Sequence, residues 1–147
     1  MSDSIWNHRF KVWNYSSLGA SLTQGLLPGT EQWEKATEAG ADVLILAFGT
    51  NDLRAGHHPE EIVAEYRKFS SKARELGVQM YVATTPPLYR EDHPGFGQVD
   101  RLNQLIQESF PPDQVLDFHS GFGPEYFLDG IHITPEGHQL RGERVAN

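Results

Sequence analysis

With 147 residues, no cysteine and a formal charge of −8, the chain has the size of one domain, 1–147. The lack of cysteine excludes disulfide frameworks, thiol nucleophiles and cysteine-based zinc sites. An acidic balance without a Lys/Arg cluster argues against nucleic acid or an acidic membrane surface as partner, and with no bilayer-length apolar run and a polar opening, MSDSIWNHRF, a cytoplasmic location is expected.

In chain order, Phe10 to Tyr15 reads as a strand and Thr30 to Ala39 as a helix ended by Gly40. Val43 to Phe48 is a continuous apolar run, the pattern of a parallel strand covered on both faces. Ile62, Tyr66, Phe69, Ala73 and Leu76 form one stripe at helical spacing, on a helix that Pro59 opens at its first position and Gly77 closes. Val78 to Thr84 is the next strand. Val99, Leu102, Leu105 and Ile106 mark a helix stopped by Pro111-Pro112, Gln114 to Phe118 a further strand, and Pro135 to Val145 a terminal helix with Thr134 as its cap. Strands alternating with helices over short loops predict an α/β fold, whose ligands gather at the carboxyl ends of the strands.

Two such strand exits carry chemistry. Gly49-Thr50-Asn51-Asp52 follows the Val43 to Phe48 run, and the Asn51 amide offers N–H donors where an oxyanion could develop; the same residues could simply form a turn and cap. Asp129-Gly130-Ile131-His132-Ile133-Thr134 precedes the last helix. An Asp three residues before a His can take the imidazole Nδ1–H and leave Nε2 as a general base, or the two can be an ordinary surface Asp and loop His.

Together, GTND after an apolar strand and DGIHIT before the last helix resemble two signature blocks of the SGNH (GDSL-type) serine hydrolases, over about residues 10 to 146. The resemblance implies a flavodoxin-like three-layer α/β/α sandwich with a parallel sheet of four or five strands. It implies that Asn51 is an oxyanion-hole donor, His132 the catalytic base and Asp129 its orienting acid. The exit Thr84-Thr85-Pro86-Pro87 also looks like the family, so Thr85, Pro86 and Tyr89 are expected to line the substrate cleft.

The nucleophile block has two registers. In the first, Val12 to Ser21 (VWNYSSLGAS) is the family's second block, Gly19 gives its backbone N–H to the oxyanion, and the nucleophile is Ser4 in the GDSI-like string Ser2-Asp3-Ser4-Ile5. In the second, Leu18 to Gly25 (LGASLTQG) is the nucleophile block with Ala20 in place of its Asp, and Ser21 attacks after the Phe10 to Tyr15 strand. At most one of the two serines serves. The polar Asn14, Ser16 and Ser17 suit an edge strand better than a central one, and the stretch from Ser21 to Asn51 is short for the family, which favours the first register.

Seven histidines raise a metal site, through His57-His58 or through Asp129, His132 and His138, but adjacent loop histidines diverge and no HExxH spacing occurs, so no metal and no other cofactor is expected. Trp13, Trp33, Tyr66 and Phe69 are expected in the core; Tyr89, Phe96, Phe122, Tyr126 and Phe127 are expected to face the cleft and meet an acyl chain or sugar ring. The expected function is a serine esterase acting on small acyl or acetyl esters, the substrate being a small-molecule or carbohydrate ester. The alternative is a non-catalytic module of the same fold that lacks a competent nucleophile and binds a ligand or partner.

Overall fold

The computed structural model describes residues 11–16, 19–23 and 27–146. In chain order these form β1 (Ala20–Ser21), β2 (Leu27–Pro28), α1 (Gly29–Glu38), β3 (Val43–Leu46), α2 (Thr50–Arg54), α3 (Pro59–Leu76), β4 (Gln79–Ala83), α4 (Val99–Ser109), β5 (Val115–Leu116) and α5 (Pro135–Ala146). All pairings between these strands are parallel: β3-β4-β5 form one sheet, and β1 and β2 a separate two-stranded ladder. No described helix is long and apolar enough to cross a membrane.

The helices start and stop where their local chemistry directs. His58 has extended backbone ahead of Pro59, and its N–H donates to the Glu61 carboxylate at 3.0 Å, using a donor the helix leaves orphaned. At the other end Gly77 turns left-handed at φ 69°, while the Val78 N–H donates back to Ala73 O at 2.9 Å. The stripe of α3 places Ile62, Tyr66, Phe69 and Ala73 in the core, whereas Leu76, on the last turn, is exposed. Val99, Leu102 and Ile106 of α4 pack beside it, with Phe110 edge-on to Tyr66 at 6.5 Å.

Three expectations are corrected. Residues 11–16 carry no strand; that stretch is mostly exposed, Trp13 included, and the strand begins at Ala20. The β3 run is not covered on both faces: Leu44 and Leu46 are buried, but Val43 and Ile45 are 42% and 41% exposed. Period-2 burial replaces the continuous burial that a central strand requires. Among the described residues the sheet is also divided into two ladders rather than one run of four or five strands.

At the carboxyl end of β3 the chain makes its sharpest exit. Phe48 N–H donates to the Tyr66 hydroxyl at 2.8 Å, and Phe48 O accepts from Tyr66 at 3.2 Å and from Thr85 Oγ1 at 3.1 Å. Gly49 follows at φ 126°, where a Cβ would stand 2.3 Å from Thr85 Oγ1 and 3.0 Å from Leu102. Gly49→Ala should therefore cost about 2–4 kcal/mol through combined backbone strain and overpacking, and Gly77→Ala, also left-handed but facing open space, only about 1 kcal/mol. Urea unfolding of the two variants beside the parent measures the difference.

Candidate active site

Between β5 and α5 the chain is pinched into a tight loop. Phe127 and Ile133 form an antiparallel bridge, Leu128 N–H donates to His132 O at 2.8 Å, and Thr134 N–H donates to Tyr126 O at 2.8 Å. Thr134 then caps α5, its hydroxyl accepting the Gly137 N–H at 3.1 Å. Gly130 turns the loop at φ 82° where a Cβ would meet Arg90 Cγ at 2.7 Å and Tyr89 O at 2.9 Å, and its own carbonyl accepts the Tyr89 N–H at 2.8 Å.

Within that turn Asp129 and His132 meet as the three-residue spacing predicts. Asp129 Oδ1 accepts the N–H groups of Ile131 at 2.9 Å and His132 at 2.7 Å, and Oδ2 lies 2.6 Å from His132 Nδ1. These contacts, the His132 backbone N–H first and its imidazole next, hold the Asp129 carboxyl well below the usual carboxylate range. With Nδ1 engaged, Nε2 is the ring nitrogen left for chemistry, on a side chain that is 62% exposed.

The second half of the site hangs on α2. Asn51 Nδ2 donates to Ala20 O at 3.0 Å, which uses one of its two amide hydrogens and holds the group beside the residue that follows Gly19. Gly19 itself is left-handed at φ 76°. The neighbouring Asp52 is fully buried; its Oδ1 accepts both the Thr23 N–H at 2.8 Å and the Thr23 hydroxyl at 2.6 Å. Residues 20–23 are thereby docked against α2. The turn-and-cap reading of Asn51-Asp52 does not describe this: Gly49 occupies the cap, and both side chains reach across to β1 and its exit. Sequence reasoning passed over Asp52 and Thr23, because a polar pair so far apart in the chain leaves no local pattern.

Ser21 is 1% exposed, and its hydroxyl donates inward to Thr23 O at 2.8 Å. Ser21 is thus enclosed, with its hydroxyl engaged on its own loop. Ser4 lies outside the described residues, as do Ser17 and Leu18.

The expected cleft residues divide. Thr85 is fully buried: its hydroxyl donates to Phe48 O, and Asn103 clamps its backbone, accepting the Thr85 N–H at 2.7 Å and donating to Thr85 O at 2.8 Å. It is a strut rather than a lining residue. Pro86 is half-buried, and Tyr89 is 40% exposed, its hydroxyl donating to Phe122 O at 2.6 Å and its ring tilted against Phe127 at 5.2 Å. Phe122 and Phe127 are buried, so packing rather than cleft exposure claims them, while Phe96 is exposed. His58 is engaged in opening α3 and His57 lies 3.3 Å from Glu61. Among the described residues no three His, Asp or Glu side chains gather as a metal-binding set.

The sequence matches the model of the GDSL-like lipase/acylhydrolase family over residues 4–140. No curated protein matches it. Among solved structures it is similar to a GDSL-like lipase from Bacteroides thetaiotaomicron (TM-score 0.68, 15% identity, 76% of this chain and 63% of that one). A carbohydrate esterase family 3 protein from Talaromyces cellulolyticus has a TM-score of 0.63 at 18% identity, with 76% of this chain and 58% of that one covered. An acetyl xylan esterase has a TM-score of 0.65 at 15% identity, covering 79% and 71%. The chain thus spans about three-fifths of the length of the first two. These likenesses give the fold, the α/β/α arrangement of GDSL/SGNH hydrolases. A family match running through nearly the whole sequence, on a parallel sheet with GTND at one strand tip and DGIH before the last helix, means that the chain belongs to the GDSL-like lipase/acylhydrolase family.

Proposed function

We propose that the protein is a serine esterase acting on small acyl or acetyl esters, with Ser4 as nucleophile, His132 as base, Asp129 as orienting acid, and Asn51 with the Gly19 N–H as oxyanion donors. The observation that carries the reading is the Asp129–His132 pair, with its 2.6 Å contact and a carboxylate held by two further backbone donors. Ser4 Oγ attacks the ester carbonyl as its proton passes to His132 Nε2; the imidazolium then protonates the leaving alcohol, and water, deprotonated by the same nitrogen, releases the acid. Ser4 is favoured over Ser21 because the Ser21 hydroxyl is enclosed and the stretch from Ser21 to Asn51 is short for the family; the family match, over residues 4–140, takes in both serines. The ester-cleaving structural relatives, two of them carbohydrate or xylan esterases, support ester substrates.

Hydrolysis of an activated acetyl ester by the purified chain, together with fluorophosphonate labelling and peptide mass spectrometry, tests this directly. The adduct is expected on Ser4. An adduct on Ser21 would overturn the register, and neither adduct nor hydrolysis would leave the non-catalytic module as the correct reading.

His132→Ala should abolish turnover, and Asp129→Asn should lower it roughly a thousandfold or more with the fold intact. Because the Asp129 carboxyl is held well below its ordinary range, it stays ionised through the mildly acidic range. The rate should therefore fall toward acid through one ionisation only, with no second limb from the aspartate. A pH–rate profile of kcat/KM reads this out.

Asn51→Ala should lower kcat by about 10²–10³-fold with little change in KM, since its donor meets charge present only in the transition state. Steady-state kinetics on the same ester distinguish this from a substrate-binding role, which would move KM alone.

Asp52 acts one step back, by docking Thr23 and with it the Gly19–Ser21 segment. Asp52→Ala should lower kcat roughly 10- to 100-fold through misplacement of the oxyanion donors, while Asp52→Asn, whose carbonyl oxygen can accept the same two Thr23 hydrogens, should restore most of it. Equal losses in both variants would show that the charge, not the docking, matters.

A further inference from the structure

A groove of about 460 Å³ opens between the exit of β4 and the loop after β5, a volume in the range of small-ligand sites. Its floor is Phe122, only 2% exposed, and one wall is the ring of Tyr89. Tyr89 is held at three points: its hydroxyl on Phe122 O, its ring edge against Phe127, and its backbone N–H on Gly130 O. The third contact makes Tyr89 a direct neighbour of the Asp129–His132 turn. The lining also includes Ser120, Gly123, the exposed Glu125 and His119, whose ring is engaged by Thr85 O at 3.1 Å and Asp100 at 3.6 Å; no described lysine or arginine is among the lining residues, and the nearby Arg144 is committed to Asp117 O and Ser120 O.

These features select a ligand class. A carboxylate without a facing cation repels acyl carboxylates and phosphates. A rigid aromatic wall costs no ordering on binding and offers a flat apolar face, while a carboxylate and glycine-rich backbone accept hydrogen bonds from a ligand rich in hydroxyl donors. An organic cation would want several exposed ring faces around it, and of the two lining rings only Tyr89 is exposed, Phe122 being 2% exposed with the Arg144 guanidinium already over it. We propose that this groove is a subsite for a neutral pyranose ring, with Tyr89 as its platform and Glu125 as acceptor for its hydroxyls. Its nearness to His132 makes that sugar the alcohol side of the ester; this last step alone rests on the esterase reading.

The test is a calorimetric or NMR titration of the full chain with a neutral xylo-oligosaccharide, and in parallel with tetramethylammonium. Saturable binding of the sugar is expected. Tyr89→Ala and Glu125→Gln should each weaken it roughly 3- to 10-fold. Glu125 is exposed, so its variant reports even where Tyr89→Ala disturbs the loop. Absence of sugar saturation, wild-type affinity in Glu125→Gln, or binding of the cation in place of the sugar would overturn the subsite. Hydrolysis of a small activated acetyl ester without sugar binding removes the subsite alone, and sugar binding without any ester hydrolysis removes the esterase reading alone.

Discussion

A parallel strand that ends inside a protein must hand its last peptide groups to partners from elsewhere, and the rest of this structure depends on how β3 does so. The Tyr66 hydroxyl both accepts from Phe48 N–H and donates to Phe48 O, and Thr85 adds a second donor to the same carbonyl. Burial pushes the Tyr66 hydroxyl far above its ordinary range, so it stays protonated and able to serve both groups. With the backbone satisfied, the chain can turn at once through Gly49, into a space only a residue without Cβ can enter. The direction of α2, and therefore the place of Asn51 and Asp52, follows from that turn.

From this fixed point two halves of a site are assembled by different means. The Asp129–His132 half is local: one aspartate closes a three-residue turn onto two backbone donors and the imidazole. The half around α2 is long-range, built by Asn51 on Ala20 and Asp52 on Thr23 across 31 and 29 residues. Ser21 belongs to this second half through its hydroxyl, which donates to Thr23 O. Every polar group that docks residues 20–23 on α2 is buried or half-buried, where a hydrogen bond is harder to replace by water.

Helix α5 supports the loop after β5. Arg144 donates to Asp117 O at 2.8 Å and to Ser120 O, with its guanidinium over the Phe122 ring at 5.3 Å. Arg141 lies over Phe118 at 4.8 Å, and burial brings its guanidinium down to about 10. Two cations thus staple residues 117–122 to the last helix. That rigidity is what allows Phe122 to serve as the anchor for the Tyr89 hydroxyl.

What could be read from the sequence was what neighbouring residues decide among themselves. The limits of α3 followed from Pro59 and Gly77, the cap of α5 from Thr134, and the Asp129–His132 contact from a three-residue spacing inside one turn. GTND and DGIH were legible for the same reason. Tertiary structure alone decided that Thr85 faces inward to Phe48, that Ser21 is enclosed while Tyr89 is open, and that one face of β3 is exposed at Val43 and Ile45. It also brought Thr23 to Asp52. Each of these depends on which distant segment arrives to fill a space or take a hydrogen bond, and the periodicity of a short stretch holds no record of a partner some thirty residues away.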